Sequence, residues 1–209
     1  MSFNFVSLTA ASCPATNRQA VLENMHEFAQ DCRAHGAGRV LFGSVVTGRY
    51  PGHVIFIQFF EGLENFQSIV EMMPTNANYA KLIGEQGLEV VVRNLMQIKD
   101  IPFEPASGLQ PEYLALTFAH LKSLDETTFL QHVKDSSSVF KNNGAQTYRM
   151  ARILSGNPVG AYVLGVTYPN MAAIEKTYND LAGHEPFQHL SQGIDVEMRS
   201  ITKIAGILA

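Results

Sequence analysis

Two histidines, His184 and His189, are the side chains best suited to proton transfer in this sequence. An imidazole titrates near neutrality and can act as a general base or bind a metal. Their spacing of five does not put them on one helical face as well as three or four would. Glu185 is adjacent, but no further Cys or carboxylate stands at metal-ligand spacing, so no metal site is expected. The plainer reading is a surface helix start with His184 near its cap. His26, His132 and His53 read as half-exposed helix or turn residues.

Four arginines could hold an anionic oxygen. A guanidinium presents a planar fork of donors that suits a carboxylate or phenolate. Arg93 and Arg199 occupy matching places in two halves of the chain. They are read either as ligand grips or as structural residues near the junction of the halves, ion-paired across it with Glu89 or Glu197 or bonded to backbone carbonyls. Arg149 and Arg152 have no such match, because Leu41 and Ser44 stand at the corresponding first-half positions. That asymmetry marks a ligand site. Gln58, Ser44 and Thr167 would supply the few polar groups of a pocket lined otherwise by Phe, Tyr, Met and Leu. Such a lining suits a small apolar or aromatic molecule.

The halves are related by a repeat at an offset of 108. Gly36-Ala37-Gly38 corresponds to Gly144-Ala145-Gln146, Gly48 to Gly156, Gly52 to Gly160 and Tyr79 to Phe187. Near the end of each half the offset falls to 106, where Gln86-Gly87-Leu88-Glu89-Val90 meets Gln192-Gly193-Ile194-Asp195-Val196. Residues 1–104 and 109–209 are thus expected to be two structural units, divided by the proline-bearing stretch from Asp100 to Gly108.

Each unit reads strand, helix, strand, strand, helix, strand. The first strand spans about 4–10 and its partner 113–119. Val21, Met25, Phe28 and Cys32 follow at spacings of 4, 3 and 4, one face of a helix. Phe129, Val133 and Phe140 repeat three of those places, and Asp125 is a good N-cap. Two hairpins follow, 39–47 with 53–60 and 147–155 with 161–168. The second helix carries Phe66, Ile69, Val70 and Met73, matched by Ile174, Tyr178 and Leu181. A short helical turn and a last strand, 89–98 and 196–204, complete each unit. This βαββαβ order is the ferredoxin-like α+β pattern. Apolar residues on both faces of the last strand imply that a single unit leaves one sheet face bare and that the other unit covers it.

Bulk properties narrow the classes. Only 16% of residues are charged, against roughly 25% in typical domains. Much surface must be internal, which also suits self-association of the fused pair as a homodimer. Net charge is −4 with no basic stripe, arguing against nucleic acid. No run of about 18 apolar residues suggests a membrane span. The start at Met1-Ser2 lacks the positive flank of a secretory signal, and two unmatched cysteines make no disulfide framework. A reduced, cytoplasmic setting is expected. Phosphate loops, dinucleotide fingerprints, nucleophile elbows and zinc-protease motifs are missing from the sequence.

The double unit resembles the dimeric α/β-barrel superfamily, which includes antibiotic-biosynthesis-type monooxygenases and stress-responsive barrel proteins. The segment Leu181-Ala182-Gly183-His184-Glu185-Pro186-Phe187-Gln188-His189-Leu190 resembles the family's histidine- and phenylalanine-bearing stretch between second helix and last strand. In the first half Asn76 and Lys81 replace the histidines, while Tyr79 keeps the aromatic. The resemblance implies a fused dimeric barrel, a site near Phe187, and one of two activities. Either the chain binds a small apolar or aromatic molecule, or it is a cofactor-independent monooxygenase or isomerase. In the second case the substrate's own enolate supplies electrons, and His184 or His189 takes a proton.

Overall fold

The computed structural model describes residues 3–104 and 110–209. Met1, Ser2 and the linker residues Pro105 to Gly108 lie outside the described residues, as does Leu109. The first unit contains β1 (Phe5–Ser12), α1 (Arg18–Ala34), β2 (Arg39–Thr47), β3 (Val54–Phe60), α2 (Leu63–Met72), α3 (Ala77–Ala80) and β4 (Glu89–Lys99). The second contains β5 (Tyr113–Leu121), α4 (Glu126–Asn142), β6 (Thr147–Ser155), β7 (Tyr162–Tyr168), α5 (Met171–Ala182), α6 (Glu185–Gln192) and β8 (Ile194–Leu208).

The helices form where apolar spacing demanded. Val21, Met25, Phe28 and Cys32 of α1 are each no more than 4% exposed. On α4 the fourth place is Ser136, also buried, whose hydroxyl donates to the His132 carbonyl at 2.8 Å. That bond lets a polar group occupy a core position. Asp125 caps α4 by accepting from the Thr128 N–H at 2.9 Å.

The two four-stranded sheets join at their edges, in the order β1-β3-β2-β8-β5-β7-β6-β4, and close into one antiparallel barrel. The seams between halves are β2 with β8 and β4 with β6. The sheet faces left bare by the helices therefore enclose a shared core, which includes Val6, Leu8, Leu41, Ile57, Met96 and Leu116. The helices cover the outside of the barrel through two further cores, one per half. Closure also explains why β8 runs on to Leu208, beyond the expected end near 204. Its first part pairs with β5 and its last part with β2, so the extra residues complete the seam. Among the described residues, no helix is long and apolar enough to cross a membrane.

Candidate functional site

Strands alternate their side chains between lumen and helices. Two cavities lie on the helix side, one in each half. The second-half cavity, about 60 Å³, lies between the sheet and helices α4 to α6; its walls include Phe129, Tyr162, Tyr168, Tyr178, Phe187 and Arg199. The first-half cavity, about 30 Å³, is bordered by Thr9, Phe28, Gln58, Tyr79 and Arg93. Thr9 corresponds to Thr117, Tyr79 to Phe187 and Arg93 to Arg199, so the repeat has built the same cavity twice.

The paired arginines therefore face cavities rather than acidic partners. Arg93 donates from Nε to Thr9 Oγ1 at 3.1 Å and from Nη1 to Met73 Sδ at 3.6 Å. The Arg199 guanidinium stands 5.6 Å from the centre of the Tyr178 ring, a cation–π arrangement. Among the described residues neither has a carboxylate within ion-pair distance. The expected ion pair of Arg93 with Glu197 across the halves is missing for a local reason. Ala119 pairs with Val196 and Phe118 with Met198, so Glu197 is bulged out of the β5–β8 ladder. It reaches Arg49 at 3.7 Å and His120 at 3.6 Å at the far end of the lumen. A matching bulge in β4 excludes Val91, whose neighbours Val90 and Val92 pair with Ala11 and Ala10.

The second cavity has neutral walls apart from Arg199. Burial, then the nearby Glu126 carboxylate, pushes the Tyr162 hydroxyl up to about 12. Burial also raises Tyr168. Both phenols stay protonated at neutral pH, so they can donate hydrogen bonds but not abstract protons. In the first half, Gln58 is 2% exposed and its Nε2 has no hydrogen-bond partner among the described residues. Burial pushes the neighbouring Cys32 thiol up to about 12, which makes it an inert core residue.

The remaining candidates fall in three places. His184 is the residue before α6; its backbone N–H donates to the Leu181 carbonyl at 3.1 Å, and its Nδ1 has no partner among the described residues. His189 is exposed on α6, with its ring 5.9 Å from that of His132. Phe187, between them in sequence, is the α6 aromatic that enters the cavity. Arg152 is on the surface, 3.9 Å from Glu126 and 5.7 Å from the Tyr162 ring centre. Arg149 projects into one end of the barrel lumen. The structure thus brings together Phe187 with Arg199, and Gln58 with Arg93. Among the described residues no group of three or more His, Cys, Asp or Glu could hold a metal ion.

From the sequence Phe129 and Tyr178 read only as helix-face residues, and Tyr162 only as part of a strand, although a signal for their place on the cavity wall exists. At the offset of 108 they replace Val21, Val54 and Val70, so the second half carries extra aromatics on the very wall that became the larger cavity.

No curated protein matches the chain. Solved structures match it over nearly its whole length at low identity, which establishes the fold. An anthrone oxidase-like protein is 10% identical, with 99% of this chain and 93% of that one aligned and a TM-score of 0.64. A heme-binding protein from Thermus thermophilus is 10% identical over 99% and 92%, with a TM-score of 0.63. A candidate monooxygenase from Fusobacterium nucleatum is 8% identical over 99% and 94%, with a TM-score of 0.68. These are dimeric α/β barrels of two ferredoxin-like units, the architecture described above. Residues 3–98 and again 111–204 match one family, and the chain accordingly belongs, as a tandem pair, to the family described as Domain of unknown function (DUF6854).

Proposed function

We propose that the chain binds a small aromatic molecule in the helix–sheet cavity of its second half, with an anionic or phenolic oxygen toward Arg199. The observation that carries this reading is an aromatic-walled cavity with a single cation on its border. Structural neighbours described as anthrone oxidase-like, monooxygenase and heme-binding support small-molecule binding on this fold. Haem itself does not fit the residues present. Among the described residues no His or Cys borders the cavity, and about 60 Å³ is far below the roughly 300–1,000 Å³ of pockets for drug-sized ligands. An engineered apolar cavity of about 150 Å³ takes benzene. An aromatic guest therefore displaces Phe187, which is half-buried on the eight-residue α6.

The test uses 4-nitrophenolate and its neutral analogue 4-nitroanisole. Wild-type protein is expected to prefer the phenolate, with ligand-induced NMR shifts at the Phe187 and Tyr178 rings. Arg199→Gln is expected to remove about tenfold in phenolate affinity, near 1.4 kcal/mol, and to leave nitroanisole unchanged. Shifts confined to other regions, or a phenolate preference that survives the substitution, would refute the reading.

A catalytic version is favoured by one feature. A guanidinium beside an aromatic-walled cavity can stabilise an enolate formed from an activated aromatic substrate. Oxygen uptake with an anthrone probe separates this from binding alone. Histidines His184 and His189 do not border the cavity, so base catalysis by either requires α6 to turn. Uptake that is unchanged in a His184→Ala/His189→Ala double variant would remove them from the mechanism.

A further inference from the structure

The barrel lumen has a second arginine pair that the helix-side cavities do not use. Arg39 opens β2 and Arg149 lies near the start of β6. In the barrel order these strands are third and seventh of eight, so the two side chains approach the same mouth from opposite walls. They are not repeat equivalents. Arg39 corresponds to Thr147, and Arg149 to Leu41. The fold is therefore built at these positions without a guanidinium, and the chain has placed two.

Neither guanidinium is neutralised. Among the described residues neither makes an ion pair or a side-chain hydrogen bond, and Arg39 Nε is buried without a partner. Met1, Ser2 and residues 105–109, outside the described set, include no Asp or Glu. Arg149 makes a cation–π contact, which leaves its hydrogen-bond donors free. The Arg149 guanidinium stands 5.5 Å from the centre of the Phe59 ring, and Phe59 is the β3 partner of Arg39. Burial holds both arginines below their ordinary range, and for Arg149 the charge of Arg39 adds to it. Half-buried like charges facing each other disfavour the empty state. A bound oxyanion removes that cost and accepts the fork of donors from each side.

The surrounding space has two parts. Outside the arginines is a polar cleft of about 590 Å³, bordered also by Lys99, Asp100, Gln146 and Thr147. Beneath them is an apolar cavity of about 60 Å³ in the lumen, walled by residues such as Leu8, Leu41, Met96, Leu116 and Val163. Arg39, Ile98, Thr147 and Arg149 border both. Lys99 is bonded to Glu126 at 2.6 Å and adds little free charge. Asp100 is the carboxylate bordering the cleft, so the two arginines leave a net charge of +1 there.

We infer that this mouth binds a small amphipathic anion, with a carboxylate or phosphate-monoester head between Arg39 and Arg149 and a short apolar tail that parts the lumen side chains as it enters the cavity of about 60 Å³. The site is separate from the helix-side cavity, so either reading can fail alone.

Full-length protein titrated with hexanoate, hexyl phosphate and hexanol tests this by calorimetry. Both anions are expected to bind at least tenfold more tightly than hexanol, and the tighter of the two identifies the head group. Arg39→Gln and Arg149→Gln should each weaken anion binding at least tenfold, Asp100→Asn should strengthen it severalfold, and Arg199→Gln should leave it unchanged. Without ligand the Arg39→Gln/Arg149→Gln double variant should melt no lower than wild type, because it removes uncompensated charge. Equal affinity for hexanol and hexanoate, no binding of either anion, or a lowered melting temperature with unchanged affinity would overturn the inference. If the variants do not fold, the wild-type arginine Nε–H resonances decide. Hexanoate should shift two of them that hexanol leaves in place, and their constancy would overturn it too.

Discussion

Replacing Gly156 with alanine is expected to lower the melting temperature by about 10 °C. Gly156 has φ +118°, a region that favours glycine. A Cβ there would lie 2.7 Å from the Arg93 carbonyl oxygen, 2.9 Å from Asn94 Cα, and directly against Asn94 Oδ1. Asn94 is 1% exposed and ties the β4–β6 seam to the next loop. Its Oδ1 accepts from the Asn157 N–H at 2.8 Å, and its Nδ2 donates to the Asn157 carbonyl at 3.1 Å. The backbone term costs roughly 1–2 kcal/mol and the crowding roughly 1–3 kcal/mol. A loss near 3 kcal/mol at about 2–4 °C per kcal/mol gives the shift stated. Gly48 is the repeat equivalent at the other seam. It has φ +105°, and its added Cβ would lie 2.6 Å from the Arg199 carbonyl oxygen and 2.7 Å from Ser200 Cβ. Gly48→Ala should behave alike. Gly160 provides the control, with φ +85° and nothing within 4 Å of an added Cβ. Gly160→Ala should lose only the backbone term. Equal losses at Gly156 and Gly160 in a thermal melt would show that crowding at the seam is not what matters.

These glycines also show what the chain reveals before it is folded. Their recurrence at a fixed offset, with the 4, 3, 4 apolar spacing of α1 and the two-sided apolar strands, was enough to specify paired ferredoxin-like units. Those signals are local and periodic. The facing of Arg93 and Arg199 was not legible in the same way. A strict period of two from Glu197 to Arg199 puts both on one side, but one bulged residue reverses that relation, and bulges leave no pattern in a single sequence. The Arg39–Arg149 pairing was hidden for a different reason. The two lie 110 positions apart on strands that share no ladder, and only closure of the barrel sets them across one mouth. The aromatic wall of the second cavity was visible in principle, because three valines of one half become Phe or Tyr in the other.

Expressed alone, residues 1–104 are expected to form a homodimer or an aggregate and no stable monomer. In the whole chain this half gives β2 to β8 and β4 to β6. Removing the second half frees both edges and uncovers Val6, Leu8, Leu41, Ile57 and Met96. Burial of an aliphatic side chain contributes roughly 1.5–3 kcal/mol, so five amount to about 10 kcal/mol, comparable with the roughly 5–15 kcal/mol of a whole domain's stability. Open edges add unpaired backbone groups that template association. A second copy can satisfy both needs. Because β6 is the repeat equivalent of β2 and β8 that of β4, each β4 of such a dimer would pair with the partner's β2 about a twofold axis. Sedimentation velocity reads the result directly. A monodisperse monomer with native-like near-ultraviolet circular dichroism would mean that the half supports its own core, and the two units would then be independent domains. A dimer would mean that closure of the lumen, by whichever copy, is the condition for folding.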